Sequence, residues 1–348
     1  MVIVALKSKR KDGTTMTATM TAQANDKLPH ETIDAIVIGG GAAGLSGALM
    51  LARSRRAVVV IDGGAPRNAP AAAVHGLLGH DGTPPAALLR TGREEVRRYG
   101  GLVLAGEVVA AAPAEPSAAG DRRFSVTLAD GRVLRARRLL VATGLRDMLP
   151  EVPGLARHWG RAVVHCPYCH GWEVRDEPIG VLAVGPASVH QALLFRQLTD
   201  DVVYFTRDTG LEADARARFA ARGIAVVDTP VTAVESTADG DVAGVRLTDG
   251  RLVARRVLAV ATSMRARTEG LAGLRLPAEE LPGGMGCRLA SGLAGQTEVP
   301  GVWVAGNATD LFAQVGAAAA AGAVAGAHIN ADLVAADTDE AVTGCQVH

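Results

Sequence analysis

The sequence predicts an α/β protein of two doubly wound, Rossmann-like domains, with the second domain inserted into the first. The chain has 348 residues, which is enough for two domains at about 100–200 residues each. One β-α-β pattern begins near Ile33, and a second begins at Ile179. Both contain short, continuous apolar runs, which are typical of the buried parallel strands of doubly wound sheets. Two such units in one chain therefore predict two doubly wound domains.

Apolar runs and the breaks between them place the elements in order. Strands are predicted at 34–39, 57–61, 124–128, 133–136, 139–142, 179–184, 202–205, 224–227, 242–247, 257–261 and 301–305. Helices are predicted at 42–54, 189–198 and 314–335. The expected bounds are 33–154 and 270–337 for the first domain, 155–268 for the second, 1–32 for a disordered leader and 338–348 for a flexible tail.

A glycine-rich turn follows the first strand. Gly39, Gly41 and Gly44 fit the pattern Gly-x-Gly-x-x-Gly between a strand and a helix. In this pattern the first glycine permits a tight turn, the second lets a pyrophosphate approach the backbone, and the third lets the helix pack closely on the strand. Asp62 ends the second strand, where a carboxylate would accept a hydrogen bond from a ribose hydroxyl. The unit is therefore predicted to bind a dinucleotide.

Composition argues against nucleic acid and membranes as partners. The 36 basic and 36 acidic residues cancel, so the net charge would not attract a polyanion. No apolar run is expected to reach the ~18 residues of a membrane helix. Gly322 and Gly326, in the last predicted helix, are interpreted as sites of close packing within the protein. The N-terminus lacks the order of charged and apolar residues of a signal peptide, so we expect a cytoplasmic protein.

Cys166 and Cys169 form a Cys-x-x-Cys pair, with His170 next to it. Two cysteines at this spacing can close a small disulfide ring, and a position at the start of a helix favours a reactive thiolate. His170 could take the proton released when a thiol attacks or is oxidised. The pair is therefore the predicted catalytic centre.

Four other interpretations of the pair remain open. A zinc site normally needs four ligands, and the sequence has no second Cys-x-x-Cys or histidine pair. Cys-x-x-Cys-His is also the pattern of c-type haem attachment, which requires an exported protein. Cys-Pro-Tyr-Cys occurs in glutaredoxins, but there it lies near the first strand of a small domain. The fourth interpretation is a purely structural pair.

The order of these motifs resembles that of the low-molecular-weight thioredoxin reductases over about residues 33–332. The shared features are the glycine turn at 39–44, Ala142-Thr143-Gly144 after a strand, the Cys-x-x-Cys pair, a second β-α-β unit and the segment 305–315. The fuller string Cys-Pro-Tyr-Cys-His-Gly-Trp-Glu is similar to that of the thioredoxin-reductase-like dithiol oxidases. Those enzymes close disulfides in natural products of the gliotoxin, holomycin and romidepsin types.

This resemblance implies that the first domain binds FAD. The residues that it assigns to FAD are Gly39, Gly41, Ala42, Ala43 and Gly44 at the pyrophosphate, Asp62 at a ribose, and Ala142, Thr143, Gly144, Gly306, Asn307, Asp310, Gln314 and Val315 elsewhere along the cofactor. Asn307 or Asp310 would face the ribityl chain. The helix that starts near Gln314 would direct its positive end at the flavin ring.

The same resemblance assigns roles to the dithiol. Cys169 would lie against the flavin as the charge-transfer thiol, and Cys166 would be the outer thiol that meets the substrate. His170 stands where thioredoxin reductases carry an acid, so the role of proton acceptor passes to an imidazole. Family members are usually homodimers, and we expect one here.

The second nucleotide motif departs from the family pattern. It begins with Ala183 in place of the first glycine, and Pro186 removes a backbone donor from the turn after Gly185. Thioredoxin reductases place His-Arg-Arg after the next strand to hold the NADPH 2′-phosphate. Here Arg207 is followed by Asp208, which would repel that phosphate. The sequence therefore argues against NADP(H) as the working electron donor.

The function predicted from these observations is FAD-dependent oxidation of a small-molecule dithiol, with oxygen as electron acceptor. The alternative is an NADPH-dependent disulfide reductase of the thioredoxin reductase type. A third hypothesis is a redox-responsive flavoprotein whose dithiol changes a partner interaction. The segment around Arg67 is expected either to contact FAD or to form a plain loop. Lesser candidates are interpreted as surface, packing, loop or tail residues: His75, His80, His190, Cys287 and Cys345.

Overall fold

The computed structural model describes residues 7–9, 15–17, 33–116 and 121–345. The strands are β1 Lys7–Lys9, β2 Thr15–Thr17, β3 Ile33–Ile38, β4 Val58–Asp62, β5 Leu102–Ala105, β6 Val108–Ala114, β7 Arg123–Leu128, β8 Val133–Val141, β9 Leu145–Met148, β10 Val163–Val164, β11 Ile179–Leu182, β12 Val202–Phe205, β13 Ala225–Val227, β14 Val231–Ser236, β15 Val242–Leu247, β16 Leu252–Ala254, β17 Val257–Val260, β18 Ser263–Ala266, β19 Ala278–Leu281, β20 Gly286–Leu289 and β21 Val302–Val304. The α-helices are α1 Ala42–Arg53, α2 Pro85–Arg98, α3 Pro167–His170, α4 Ala187–Phe195, α5 Ala213–Arg222 and α6 Val315–Cys345.

The predicted leader lies mostly outside the described residues. Within it, β1 and β2 pair as short antiparallel strands, a pairing that the sequence did not predict. Residues 346–348 of the predicted tail also lie outside the described residues.

The first large sheet has seven strands in the order β5-β4-β3-β8-β7-β6, with β21 also paired to β8. Its parallel strands β3, β4 and β8 are almost entirely buried, because helices cover this part of the sheet. Helices α1, α2 and α6 supply apolar residues to the same core. The carboxyl ends of β3 and β8 lie side by side, which brings Gly39 to Ala142.

One long strand replaces two predicted strands in this sheet. Residues 133–136 and 139–142 were expected to be separate strands because Arg137 and Arg138 interrupt the apolar run. The backbone continues through both arginines, since their side chains are paired with carboxylates. Arg138 is only 2% exposed and forms ion pairs with Asp121 and Asp332. Buried charge in a strand is tolerated when it is paired in this way.

The second large sheet has five parallel strands in the order β10-β17-β11-β12-β13. Helices α3, α4 and α5 belong to this part of the chain, and β14, β15 and β16 form a separate antiparallel sheet. The two doubly wound sheets confirm the predicted α/β fold class.

A four-stranded sheet that the sequence did not predict connects the two doubly wound parts. Its order is β19-β20-β18-β9, and β9 and β18 pair antiparallel where the chain leaves the first sheet and where it returns. Cys287 lies in β20, so its interpretation as a loop thiol was wrong. This sheet places residues 145–148 and 263–266 beside the dithiol segment, as described below.

Helix α6 was expected to end near residue 335 but continues to Cys345. Residues 338–345 are therefore helical, and the predicted tail was wrong for them. By length and composition alone α6 could cross a membrane, so the expectation that no segment qualifies was also wrong. The helix packs along α1 through its small residues. A Cβ on Gly322 would lie 1.9 Å from the Ala43 carbonyl oxygen, which confirms the predicted close packing.

We expect Gly322→Ala to lower the free energy of unfolding by about 1–3 kcal/mol, because the added methyl group meets backbone that cannot move away. The matched control is Gly344→Ala in the same helix, where a Cβ would have no neighbour within 4 Å. The control should be neutral or stabilising by up to about 1 kcal/mol. Urea unfolding of both variants checks this. Equal effects of the two substitutions would contradict the packing argument.

Candidate active site

One cavity of about 910 Å³ brings together the glycine turn, the dithiol and the start of α6. Most of the residues predicted for catalysis or FAD line it. They are Gly39, Gly41, Ala42, Ala43, Asp62, Ala142, Thr143, Gly144, Cys166, Cys169, His170, Gly306, Asn307, Gln314 and Val315. Residues that are far apart in sequence thus share one site.

Gly44 and Asp310 are the two predicted site residues that do not line the cavity. Gly44 lies behind the turn, where a Cβ would be 1.9 Å from the Gly39 carbonyl oxygen, so it serves helix packing. Asp310 accepts a hydrogen bond from the Phe312 backbone N–H at 3.1 Å and so shapes its own loop. Asn307, which was predicted together with Asp310 as the residue facing the ribityl chain, does line the cavity. Its side-chain amide donates to the Asp310 and Ala313 carbonyl oxygens.

The glycine turn has the geometry that a dinucleotide requires. Gly39 has a φ of +112°, and a Cβ there would lie 2.2 Å from the Ala142 carbonyl oxygen. Gly41 faces open space, with nothing within 4 Å of an added Cβ. Helix α1 begins directly after it without a side-chain cap, so its first N–H groups are available to an anion. These residues therefore fit the pyrophosphate of FAD.

Asp62 lies across the turn from Gly40. A Cβ on Gly40 would be 2.4 Å from the Asp62 carboxyl carbon. The carboxylate accepts hydrogen bonds from the Gly64 backbone N–H at 2.9 Å and from Arg93 at 3.1 Å. Arg93, in α2, was not predicted, since nothing in the spacing of the motif points to it. The two donors fix the carboxylate at the position predicted to meet a ribose.

The dithiol lies at the start of the short helix α3. Cys166 immediately precedes the helix, and its carbonyl oxygen accepts hydrogen bonds from the backbone N–H groups of Cys169 and His170. Both cysteines are reduced and partly buried. A hydrogen bond from the Cys169 thiol lowers the pKa of Cys166 to about 7, while the same bond and burial raise the pKa of Cys169. Cys166 is therefore the sulfur that ionises first, as an attacking outer thiol must.

His170 lines the cavity beside these sulfurs. Neither of its ring nitrogens has a hydrogen-bond partner among the described residues. Burial holds the pKa of His170 below its ordinary value, so the ring is neutral at pH 7. A neutral imidazole with a free nitrogen can accept a proton, as its predicted role requires.

The cavity also contains residues that the sequence interpretation missed. His75 and His190 line it; His190 is exposed, as its interpretation as a surface residue predicted, and His75 is half-buried. His75 Nε2 lies 3.3 Å from Glu173 Oε1, which links the loop after β4 to the dithiol segment. Arg67 and Asp147 also line the cavity and form an ion pair. No spacing pattern in the sequence relates these residues, because the contacts form only when the two doubly wound parts meet.

The second nucleotide turn lies close to the turn between β19 and β20, while Pro186 and Ala187 remain exposed. A Cβ on Gly185 would lie 3.4 Å from the Gly283 carbonyl oxygen, which belongs to the turn between β19 and β20. Arg207 adopts a left-handed φ of +48° and donates to the Ala183 carbonyl oxygen at 2.9 Å. A carbonyl oxygen opposes a phosphate, and the one nearby base is already bonded. This arrangement does not favour a nicotinamide dinucleotide.

The described residues contain no group of three or more His, Cys, Asp and Glu side chains that could hold a metal ion. Within that part of the chain, the zinc interpretation of the cysteine pair has no support.

Comparisons with known proteins relate the chain to a family of oxidoreductases. The sequence model for "Pyridine nucleotide-disulphide oxidoreductase" matches residues 33–323. The chain is 34% identical to "Thioredoxin reductase tcpT" of Claviceps purpurea (strain 20.1), over 87% of this chain and 95% of that protein. It is 31% identical to "Thioredoxin reductase sirT" of Leptosphaeria maculans, again over 87% and 95%. The solved structure of HlmI superposes with a TM-score of 0.84 at 42% identity, over 90% of this chain and 96% of that one.

We expect Gly41→Val to leave the fold intact but to weaken FAD binding at least tenfold, or by about 1.4 kcal/mol. The side chain would enter open space in the protein, where the pyrophosphate must approach the backbone. Flavin absorbance per polypeptide, with FAD titration of the stripped protein, measures binding, and circular dichroism checks the fold. A fully yellow variant would contradict this placement of the cofactor.

Proposed function

The chain belongs to the pyridine nucleotide-disulphide oxidoreductase family, and from that premise we propose that it oxidises a small-molecule dithiol to a disulfide, with oxygen as the final electron acceptor. FAD is the cofactor of this family. The observation that carries the proposal is the contrast between two nucleotide turns. The first opens into the cavity that holds Cys166 and Cys169. In the second, Pro186 has no N–H to donate, and Arg207 is bonded to the Ala183 carbonyl oxygen.

The proposed cycle starts from the Cys166–Cys169 disulfide. One substrate thiolate attacks the Cys166 sulfur, which breaks the enzyme disulfide and releases Cys169. The second substrate thiol then attacks the substrate sulfur bound to Cys166, so the substrate disulfide forms and Cys166 is released. A pKa of about 7 makes Cys166 a good leaving group in this second step. His170 is placed to accept the proton that a substrate thiol loses.

Bound FAD supplies the two-electron acceptor that returns the enzyme dithiol to its disulfide, and oxygen then receives these electrons as hydrogen peroxide. The residues that would hold FAD include Gly39, Gly41 and Asp62 of the first nucleotide unit and Asn307 and Gln314, all of which line the cavity. Two electrons and two protons leave the substrate in each cycle, which balances the reduction of one oxygen molecule.

The second candidate is an NADPH-dependent disulfide reductase. The relatives tcpT and sirT bear the name thioredoxin reductase, which supports this alternative. It would require the turn at Gly185 to bind a pyrophosphate although Pro186 has no N–H and Arg207 is bonded to Ala183. These features favour the oxidase.

We expect Cys166→Ser and Cys169→Ser each to abolish dithiol oxidation while the protein remains yellow, because the glycine turn is untouched. Peroxide formation and substrate thiol loss, measured with a simple dithiol in air, check this. Cys287→Ser is the matched control, since that thiol does not line the cavity, and it should retain activity. Oxidation that survives in the double variant Cys166→Ser with Cys169→Ser would refute the mechanism.

Anaerobic mixing separates the two candidates. A simple dithiol should bleach the flavin absorbance. NADPH and NADH should bleach it at least about a hundredfold more slowly, because Pro186 removes a backbone donor from the second turn and Arg207 is bonded to Ala183. Stopped-flow absorbance gives both rates. Rapid bleaching by NADPH would establish the reductase instead.

A further inference from the structure

A buried ion pair lies beside the dithiol and is not used in the cycle above. Arg67 Nε and Nη2 donate to the two carboxylate oxygens of Asp147, each at 2.7 Å. The side chain of Asp147 is 4% exposed and that of Arg67 is 29% exposed. Burial raises the pKa of Asp147, but its hydrogen bonds from Arg67 outweigh this, so the pKa lies below its usual value. The two-pronged contact holds the guanidinium in one orientation.

The ion pair is connected to the residue before Cys166. The Thr262 hydroxyl donates to Asp147 Oδ1 at 2.7 Å, and its oxygen lies 3.2 Å from His165 Nδ1. Because that hydroxyl proton is directed at Asp147, the hydroxyl oxygen is the acceptor in a hydrogen bond with His165, whose Nδ1 also lies 3.1 Å from the Val260 carbonyl oxygen. Gln191 also donates to the His165 carbonyl oxygen at 2.6 Å. The backbone that leads into Cys166 is thus fixed to the same network.

Arg67 is a permanent positive charge that lines the cavity together with the dithiol, as Arg146 and Arg267 also do. Burial lowers the pKa of both His165 and His170, so neither ring carries charge at pH 7. Arg146 is paired with Glu269 at 2.5 Å, and Arg267 donates to the Ala65 carbonyl oxygen at 3.0 Å. After the hydrogen bond between the two thiols and their burial, the charge of Arg67 acts to lower the pKa of each sulfur.

We propose that Arg67 is the cation that stabilises the Cys166 thiolate and that Asp147 is the positioning residue that sets how much of this charge the sulfurs experience. The inference rests on the proposed function in treating the dithiol as the redox centre, and it goes beyond it in assigning what tunes that centre. An arginine keeps its charge over the whole working pH range, unlike the neighbouring histidines. The charge that Arg67 supplies to the dithiol therefore does not change when the histidines titrate.

The test measures the rate at which iodoacetamide alkylates Cys166 as a function of pH, in the FAD-bound protein after anaerobic reduction. Peptide mass spectrometry identifies Cys166 among the four cysteines. The other titratable groups near the sulfurs are His75, His165, His170, His190 and Glu173, and none is changed in the variants.

Removing the charge of Asp147 and removing the charge of Arg67 should shift the alkylation pKa of Cys166 in opposite directions. In Asp147→Asn the side-chain amide oxygen can still accept a hydrogen bond from Arg67, but no carboxylate compensates the charge of Arg67. The alkylation pKa of Cys166 should therefore fall. Adding Arg67→Met to this variant should raise the alkylation pKa of Cys166 again by about one unit, which lowers the alkylation rate about tenfold at a pH below that pKa. The double variant leaves no unpaired buried carboxylate, so it tests the charge even where Arg67→Met alone does not fold. A purely structural role would move both variants in the same direction.

Arg146→Met is the matched control, because it removes a cation from the same strand as Asp147 and should leave the alkylation profile unchanged. An unchanged profile in both Asp147→Asn and the double variant, or shifts of the same sign, would overturn the proposal. Since the assay uses neither substrate nor oxygen, loss of dithiol oxidase activity in the unmodified protein would refute the proposed function without affecting this result.

Discussion

The pairing of β9 with β18 is the contact on which the site depends. Four residue pairs, from Leu145 with Ala266 to Met148 with Ser263, join the strand that leaves the first sheet to the strand that returns to it. Asp147 and Thr262 come together at this junction. Because the dithiol segment is fixed to the same junction through His165, the sulfurs face the cavity of the glycine turn. A nucleotide site and a redox pair on separate parts of the chain thereby become one site.

Burial then determines the electrostatics of this site. Charges removed from water interact strongly, so each must be paired or neutralised. Asp147 is paired with Arg67, whereas His165 and His170 are neutral because burial lowers the pKa of each ring. The hydrogen bond between the two thiols lowers the pKa of Cys166 and raises that of Cys169, which is the asymmetry that an attacking and a resolving sulfur require. One cavity thus holds a thiolate, a neutral base and a fixed cation.

The second doubly wound part keeps its architecture although its nucleotide turn departs from the family pattern. Its five strands are parallel and its core is intact. A sheet of this kind is stabilised by its apolar interior, which does not require a bound ligand. Its role in the proposed cycle is to carry the dithiol segment, whose strand β10 is the edge strand of the same sheet. Loss of phosphate contacts at Gly185 and Arg207 is therefore compatible with a fully folded domain.

The sequence by itself determined the features that depend on local chemistry: the two β-α-β units, the glycine turn, the Cys166–Cys169 pair and the weakened second motif. These features can be predicted from the sequence because turn geometry, strand burial and thiol chemistry depend on residues that are close together in the chain. Asp147 and His75 were not recognised as site residues, Arg67 was left as either an FAD contact or part of a plain loop, and β8 was predicted as two strands on either side of Arg137 and Arg138. Each of these depends on a partner from another element, such as Asp332 for Arg138 or Thr262 for Asp147. Only the tertiary structure brings these charges together, because a buried ion pair is stabilised by surroundings that no local pattern specifies.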